Sequence, residues 1–135
     1  MSQQNVEFVL DAYARFNARD ERWATLVPEF YAEDAEYHVA REDPDSAVHR
    51  GVADITKQME RWIDAYPDLK LEPSDARANG DQVFVWVRFV GHGAGSELPV
   101  EMEVAHVITL RDGKFARLDE YYDRAEALKA VGLSE

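Results

Sequence analysis

The sequence contains no cysteine. This excludes a disulfide scaffold, a thiolate zinc site and a cysteine nucleophile. Positive charge is also scarce, with 15 Lys+Arg against 27 Asp+Glu and a formal charge of −12. Such a balance argues against non-specific binding to nucleic acid or to an anionic membrane. No stretch approaches the roughly 18 to 20 apolar residues of a membrane span. Residues Met1 to Glu7 lack the basic and apolar regions of a signal peptide. There is no internal repeat, low-complexity tract or linker, and no GxSxG, Walker-type or HExxH motif. The run Gly91-His92-Gly93-Ala94-Gly95 is not GxGxxG and joins two expected strands, so it is a poor phosphate cradle. No two histidines stand at metal-ligand spacing, and neither a metal nor any other cofactor is expected. What remains is a soluble, cytoplasmic, single-domain protein spanning residues 1–135, with no nucleic-acid or membrane partner. With 135 residues, 46% of them hydrophobic, the chain can bury a core without covalent staples.

Helical periodicity is clear in two segments. Val6, Val9, Leu10, Tyr13 and Phe16 share one face, with Asn5 as the expected N-cap. Val52, Ile55, Met59, Trp62, Ile63 and Tyr66 share another, after Gly51 and before Pro67. Between them, Trp23, Leu26, Val27 and Phe30 keep helical spacing, which Pro28 should break into short pieces. Residues 35–41 read as a strand, and 42–50 as a loop. The stretch 29–45 carries seven acids and one arginine, read as a solvated rim. From 68 to 123 the pattern is β-like, with turns at Asn79-Gly80 and Asp112-Gly113. Asp123 and Glu126 form a capping box for a tail helix, and Gly132 suits its C′ position. The expected fold is α+β: a cone-shaped, curved, mostly antiparallel sheet wrapped around helices on one face and enclosing a pocket. Strand 83–90 is apolar on both faces, so a homodimer through the outer sheet face is expected to cover Phe84, Trp86 and Val90.

Strand 97–111 carries the strongest chemical signal. Its even positions, Leu98 to Leu110, form the buried face, and His106 is the one polar member. The plain alternative is a core histidine satisfied by a tyrosine or a backbone carbonyl. The final hairpin offers His106 a carboxylate in either of two registers. A three-residue loop sets Leu118 opposite His106 and Glu120 one step diagonal. A two-residue loop sets Asp119 opposite. A His–carboxylate pair in a pocket can move protons at neutral pH. Tyr13, Tyr37, Trp62, Tyr66 and Tyr122 either line that pocket or fill core. Arg88 and His38 alternate away from it, Asp34 is a turn or cap acid, and His49 and His92 fall in loops.

Three segments together resemble a known family. They are Phe30-Tyr31-Ala32-Glu33-Asp34-Ala35-Glu36-Tyr37-His38-Val39, Arg50-Gly51-Val52-Ala53-Asp54-Ile55, and Leu110-Arg111-Asp112-Gly113 through Glu120-Tyr121-Tyr122-Asp123 to Gly132-Leu133. In this order they resemble SnoaL-like proteins of the nuclear-transport-factor-2-like superfamily, which includes ketosteroid isomerases, limonene epoxide hydrolases and polyketide cyclases. The resemblance implies a cone-shaped α+β barrel, often dimeric. The ketosteroid isomerase base corresponds to Val39, followed by Ala40, so that base is missing. Two epoxide hydrolase positions correspond to Val87 and Phe89, so that triad is missing too. Polyketide cyclases of this type pair a last-strand carboxylate with a histidine on the strand before, and His106 and Glu120 resemble that pair. The parallel favours the three-residue loop. It implies a pocket lined by Tyr13, Tyr37, Val39, Trp62, Val87, Phe89, Met102, Val104, Leu118 and Tyr122. Three readings stay open. One is a cofactor-independent isomerase, cyclase or dehydratase acting on a small apolar or aromatic carbonyl compound. The others are a non-catalytic binder of a hydrophobic small molecule and a dimeric assembly module.

Overall fold

The long periodic segments form the helices and strands that carry the site. In the computed structural model, which describes residues 2–134, the first helix α1 is Ser2–Ala18. It starts before Asn5, which therefore lies inside the helix and not at its cap. A 3₁₀ turn, Glu21–Thr25, capped by the Asp20 carboxylate, leads into the short helix α2, Leu26–Phe30. The break falls at Thr25, and Pro28 sits in the first turn of α2, where its missing N–H removes no helical hydrogen bond. Strand β1 is Tyr31–His38 and β2 is Val48–Arg50. The first strand therefore begins earlier than its periodicity predicts, because Tyr31 already pairs with Phe115. The expected loop 42–50 ends in strand, since Val48 to Arg50 pair with β1. Helix α3 is Gly51–Ala65.

Four long strands follow: β3, Lys70–Asn79; β4, Gln82–His92; β5, Pro99–Arg111; and β6, Lys114–Tyr121. They form one six-stranded sheet in the order β2-β1-β6-β5-β4-β3. Every pairing is antiparallel except β1 with β6. Pro73 lies on the edge strand β3, next to a register shift before Asp75, where a missing donor is tolerated. Helices α1, α2 and α3 cover the concave face. The core between them includes Val9, Phe16, Leu26, Phe30, Ile55, Val83, Val85, Val87, Val104, Ile108, Phe115 and Leu118.

The convex face is not bare. Tail helix α4, Arg124–Ala130, packs Ala127, Leu128 and Val131 against Phe84, Ala105 and Val107. The Asp123 carboxylate accepts from the Glu126 N–H, and Gly132, at φ 74°, ends the helix with Leu133 N–H bonded to Leu128 O. That is the Schellman arrangement, in which glycine takes the left-handed position freely. Helices therefore lie on both faces, not on one. Phe84, expected to await a partner chain, is fully buried within its own.

The last hairpin departs from both expected registers. Asp112 and Gly113, at φ 54° and 76°, make a two-residue turn of the type that matches strand twist, so Leu110 pairs with Phe115. The register then shifts, Thr109 pairs with Arg117, and Ala116 is the extra residue. Without this bulge, Asp119 would lie opposite His106. With it, the inward parity of β6 switches, so Phe115 and Leu118 both face the core and Glu120 lies directly opposite His106. The three-residue loop implied by the family parallel is absent; a tight turn plus one bulged residue brings Glu120 inward.

Candidate functional site

Three elements converge on His106. The β5–β6 ladder brings Glu120, and His106 Nε2 lies 3.2 Å from Glu120 Oε2. Strand β1 brings Tyr37, whose hydroxyl donates to the same Oε2 at 3.2 Å and lies 3.4 Å from Nε2. Helix α1 brings Tyr13, whose hydroxyl is 2.6 Å from His106 Nδ1. Phe89 and Trp62 complete the surroundings, with the Phe89 ring 5.9 Å from the imidazole and the Trp62 ring 5.5 Å from Tyr37. The side chains of His106 and Glu120 are only 2% and 7% exposed.

The hydrogen-bond directions follow from burial. Burial above all holds the Tyr13 and Tyr37 hydroxyls well above the ordinary tyrosine range, with the Glu120 charge acting in the same direction. Both therefore keep their protons and must donate them. Tyr13 has His106 Nδ1 as its one hydrogen-bond partner among the described residues, so Nδ1 accepts. The imidazole proton then sits on Nε2 and points at Glu120. The imidazole is therefore the Nε2–H tautomer, with its proton directed at Glu120 Oε2. Oε2 accepts from Tyr37 and His106, while Oε1 has no partner among the described residues and is not sealed from solvent.

Two spaces meet at this cluster. Inside the cone, Tyr13, Tyr31, Tyr37, Met59, Trp62, His106 and Leu118 surround a void of only about 30 Å³. That is room for little more than a water molecule. At the mouth, a cavity of about 650 Å³ is lined by Val39, Trp62, Tyr66, Leu69, Phe89, Val100, Met102 and Glu120, and by Asp43, Asp45, His49, Gln58 and Arg61. That volume suits a drug-sized ligand. The cone is therefore filled and the mouth is open, with Glu120 at the boundary. A smaller cleft of about 180 Å³ reaches Glu120 from the side of His38, Asp119 and Glu126.

The structure thus brings Val39, Trp62, Phe89, Met102 and Glu120 together at the mouth. It sets Tyr13, Tyr37, His106 and Leu118 behind them. Val87 and Val104 are fully buried in solid core and border neither space. Tyr122 borders neither, but its hydroxyl donates to Asp43, a residue of the mouth. Asp119 points away, held by Arg117 at 2.8 Å. Sequence reasoning missed Gln58 and Arg61, although Gln58, Arg61, Trp62 and Ala65 share one face of α3 at helical spacing. It also read Asp43 and Asp45 as rim alone. No pattern in that loop signals that it folds over the mouth.

The chain thus has a cone-shaped α+β fold, similar to cystatin-like and ketosteroid-isomerase-like structures, with a buried His–carboxylate pair beneath an open cavity. The SnoaL-like domain model matches residues 9–118, and the chain belongs to that family. Solved structures agree on the fold. A protein from Jannaschia sp. CCS1, provisionally described as a SnoaL-like polyketide cyclase, superposes with a TM-score of 0.78 at 18% identity, covering 99% of this chain and 95% of that one. Bal32a, from a soil-derived mobile gene cassette, gives a TM-score of 0.77 at 22% identity, covering 96% of each chain. TerC, co-crystallised with polyporic acid, gives 0.71 at 22% identity, covering 94% of this chain and 96% of that one. The comparison with curated proteins gives no match. Among the described residues, no helix is long and apolar enough to cross a membrane.

Proposed function

We propose that the protein is a cofactor-independent isomerase, cyclase or dehydratase acting by general acid–base catalysis on a small apolar or aromatic carbonyl compound. One observation carries this reading: a carboxylate more than nine-tenths buried at the floor of the mouth cavity, with Oε2 fixed by two donors and Oε1 free. Glu120 is the catalytic residue. Its Oε1 takes a proton from a carbon next to the substrate carbonyl and returns it at another atom. His106, Tyr37 and Tyr13 are positioning residues. They hold the carboxylate in one orientation and leave its free oxygen toward the ligand. His106 lies behind Glu120 and borders the inner void, so it orients the base and does not bind substrate oxygen. The aromatic walls exclude water from the reacting atoms.

The test is proton exchange. A panel of enolisable aromatic ketones is incubated in deuterium oxide, and loss of the α-proton signal is followed by NMR. The protein should accelerate exchange, and Glu120→Gln should lower the rate by about 10²- to 10⁴-fold while the melting temperature stays near that of the wild type. Exchange by Glu120→Gln at the wild-type rate would remove Glu120 from the chemistry. A homodimer through the outer sheet face remains our proposal for assembly. Its patch is narrowed by α4 to Trp86 and Val90, and a 15.4 kDa species alone in equilibrium sedimentation would refute it.

A further inference from the structure

The chain has nearly twice as many acids as bases, so its guanidinium groups should have no difficulty finding carboxylates. Nine of its eleven arginines do so within 4.0 Å. Arg19 instead donates to the Leu69 carbonyl. The other arginine with no carboxylate within that distance, among the described residues, is Arg61. It lines the mouth cavity, and its one protein partner is the Gln58 side-chain oxygen, 3.0 Å from Nη1. That one bond leaves the other guanidinium N–H groups without a protein partner. Two neighbouring side chains on one helical face thus bring N–H donors to the lining of the cavity.

Three acids line the mouth. Asp43 is engaged by the Tyr122 hydroxyl and by the Asp45 N–H, Asp45 stands on the same loop, and Glu120 is held by Tyr37 and His106. Arg61 itself is exposed on α3, at the rim. The apolar side chains Trp62, Phe89 and Met102 line the same cavity. A ligand that satisfies all three zones has an acidic oxygen group at one end, an apolar or aromatic body, and its reacting carbon at the other end.

We propose that the mouth cavity takes aromatic compounds bearing a carboxylate, and that Arg61, oriented by Gln58, binds that carboxylate at the rim. The proposal rests on the mouth being the ligand site named above, but not on Glu120 catalysing a reaction. Separating the carboxylate from Glu120 by the length of the apolar body limits repulsion between the two negative groups. A guanidinium–carboxylate pair with two parallel N–H···O bonds also fixes the direction in which the body enters.

The test is calorimetric titration with 2-naphthoate, methyl 2-naphthoate and 2-naphthylmethylamine. It uses the wild type, Arg61→Gln, Arg61→Lys and Glu120→Gln. The wild type should bind the acid about tenfold more tightly than its ester, as expected for charge-assisted hydrogen bonds at a partly exposed site. Arg61→Gln should reduce that ratio to about one, and Arg61→Lys should restore part of it. Glu120→Gln should keep the ratio even where it abolishes proton exchange, which separates this inference from the catalytic reading. An ester bound as tightly as the acid would overturn the proposal. So would an acid preference that survives Arg61→Gln, an amine that outbinds both, or no binding of naphthoate at millimolar concentration.

Discussion

The orientation of His106 depends on one hydroxyl, and Tyr13→Phe removes it with little change of shape. Tyr13 and His106 are both nearly fully buried, and the 2.6 Å bond between them is the one partner of Nδ1 among the described residues. The inner void of about 30 Å³ leaves at most a single water to replace the lost donor. Leaving a buried acceptor unpaired costs about 1–3 kcal/mol. In a chain of this length that is a drop in melting temperature of roughly 3–5 °C per kcal/mol. The cause can be isolated by a double-mutant cycle with His106→Leu, which removes the acceptor. Tyr13→Phe should then be nearly neutral in the His106→Leu background, giving a coupling of about 1–2 kcal/mol. Urea unfolding of the four proteins measures it. A cost below about 0.3 kcal/mol in the wild-type background, or additive costs in the cycle, would refute the assignment of Nδ1 as a paired acceptor. Nitrogen chemical shifts of the imidazole provide a second readout, since the Nε2–H form and its counterpart differ at both nitrogens.

Two further outcomes are expected. Phe84→Ala should destabilise the fold by about 3–5 kcal/mol in denaturant titration, because Phe84 is sealed between the sheet and α4 with the Arg124 guanidinium 5.1 Å from its ring; a cost typical of an exposed site would mean that α4 does not cover this face. Stability should also fall as pH rises above about 10, the ordinary tyrosine value. Tyr13, Tyr31, Tyr37, Tyr121 and Tyr122 are all held above that value, each chiefly by burial. Above 10 the unfolded chain sheds these protons and the folded one retains them, so the stabilisation present below 10 is lost with increasing pH. Urea midpoints between pH 8 and 11 would show this, and Tyr13→Phe should flatten the slope. A pH-independent midpoint would contradict it.

The features legible in the sequence are those set by local period and local chemistry. Helix α3 follows from Ile55, Met59 and Trp62 at helical spacing, and α4 from Asp123, Glu126 and Gly132, whose backbone roles are fixed within a turn. Strand β5 follows from alternation, which singles out His106. What was not legible depends on long-range geometry. Nothing in Ala116 marks it as a bulge, yet that residue decides whether Asp119 or Glu120 enters the core. The choice of Glu120 came from the family parallel, and its stated route, a three-residue loop, is not the one the chain uses. Tyr13 was visible as an inward helix residue. Its role as partner of Nδ1 depends on the angle at which α1 crosses the sheet, which no periodicity encodes. The apolar strand 83–90 did predict a covered outer face, but the nearest cover is the chain's own tail, through Leu128 and Val131.

The bulge also places a carboxyl group in the core, where it needs hydrogen-bond partners. The core offers Glu120 two donors, both on the same oxygen. A third donor, on Oε1, would stabilise the fold further. In the register without the bulge, Asp119 would face His106, with a side chain one methylene shorter. Instead, Asp119 lies outside with Arg117, where its charge is solvated and paired. The same one-residue shift therefore moves one acid out of the core and another in. It separates the surface acids, which dominate the net charge, from the buried carboxylate paired with His106. Strand register thus decides which acid lies opposite His106, and the bulged Ala116 sets that register.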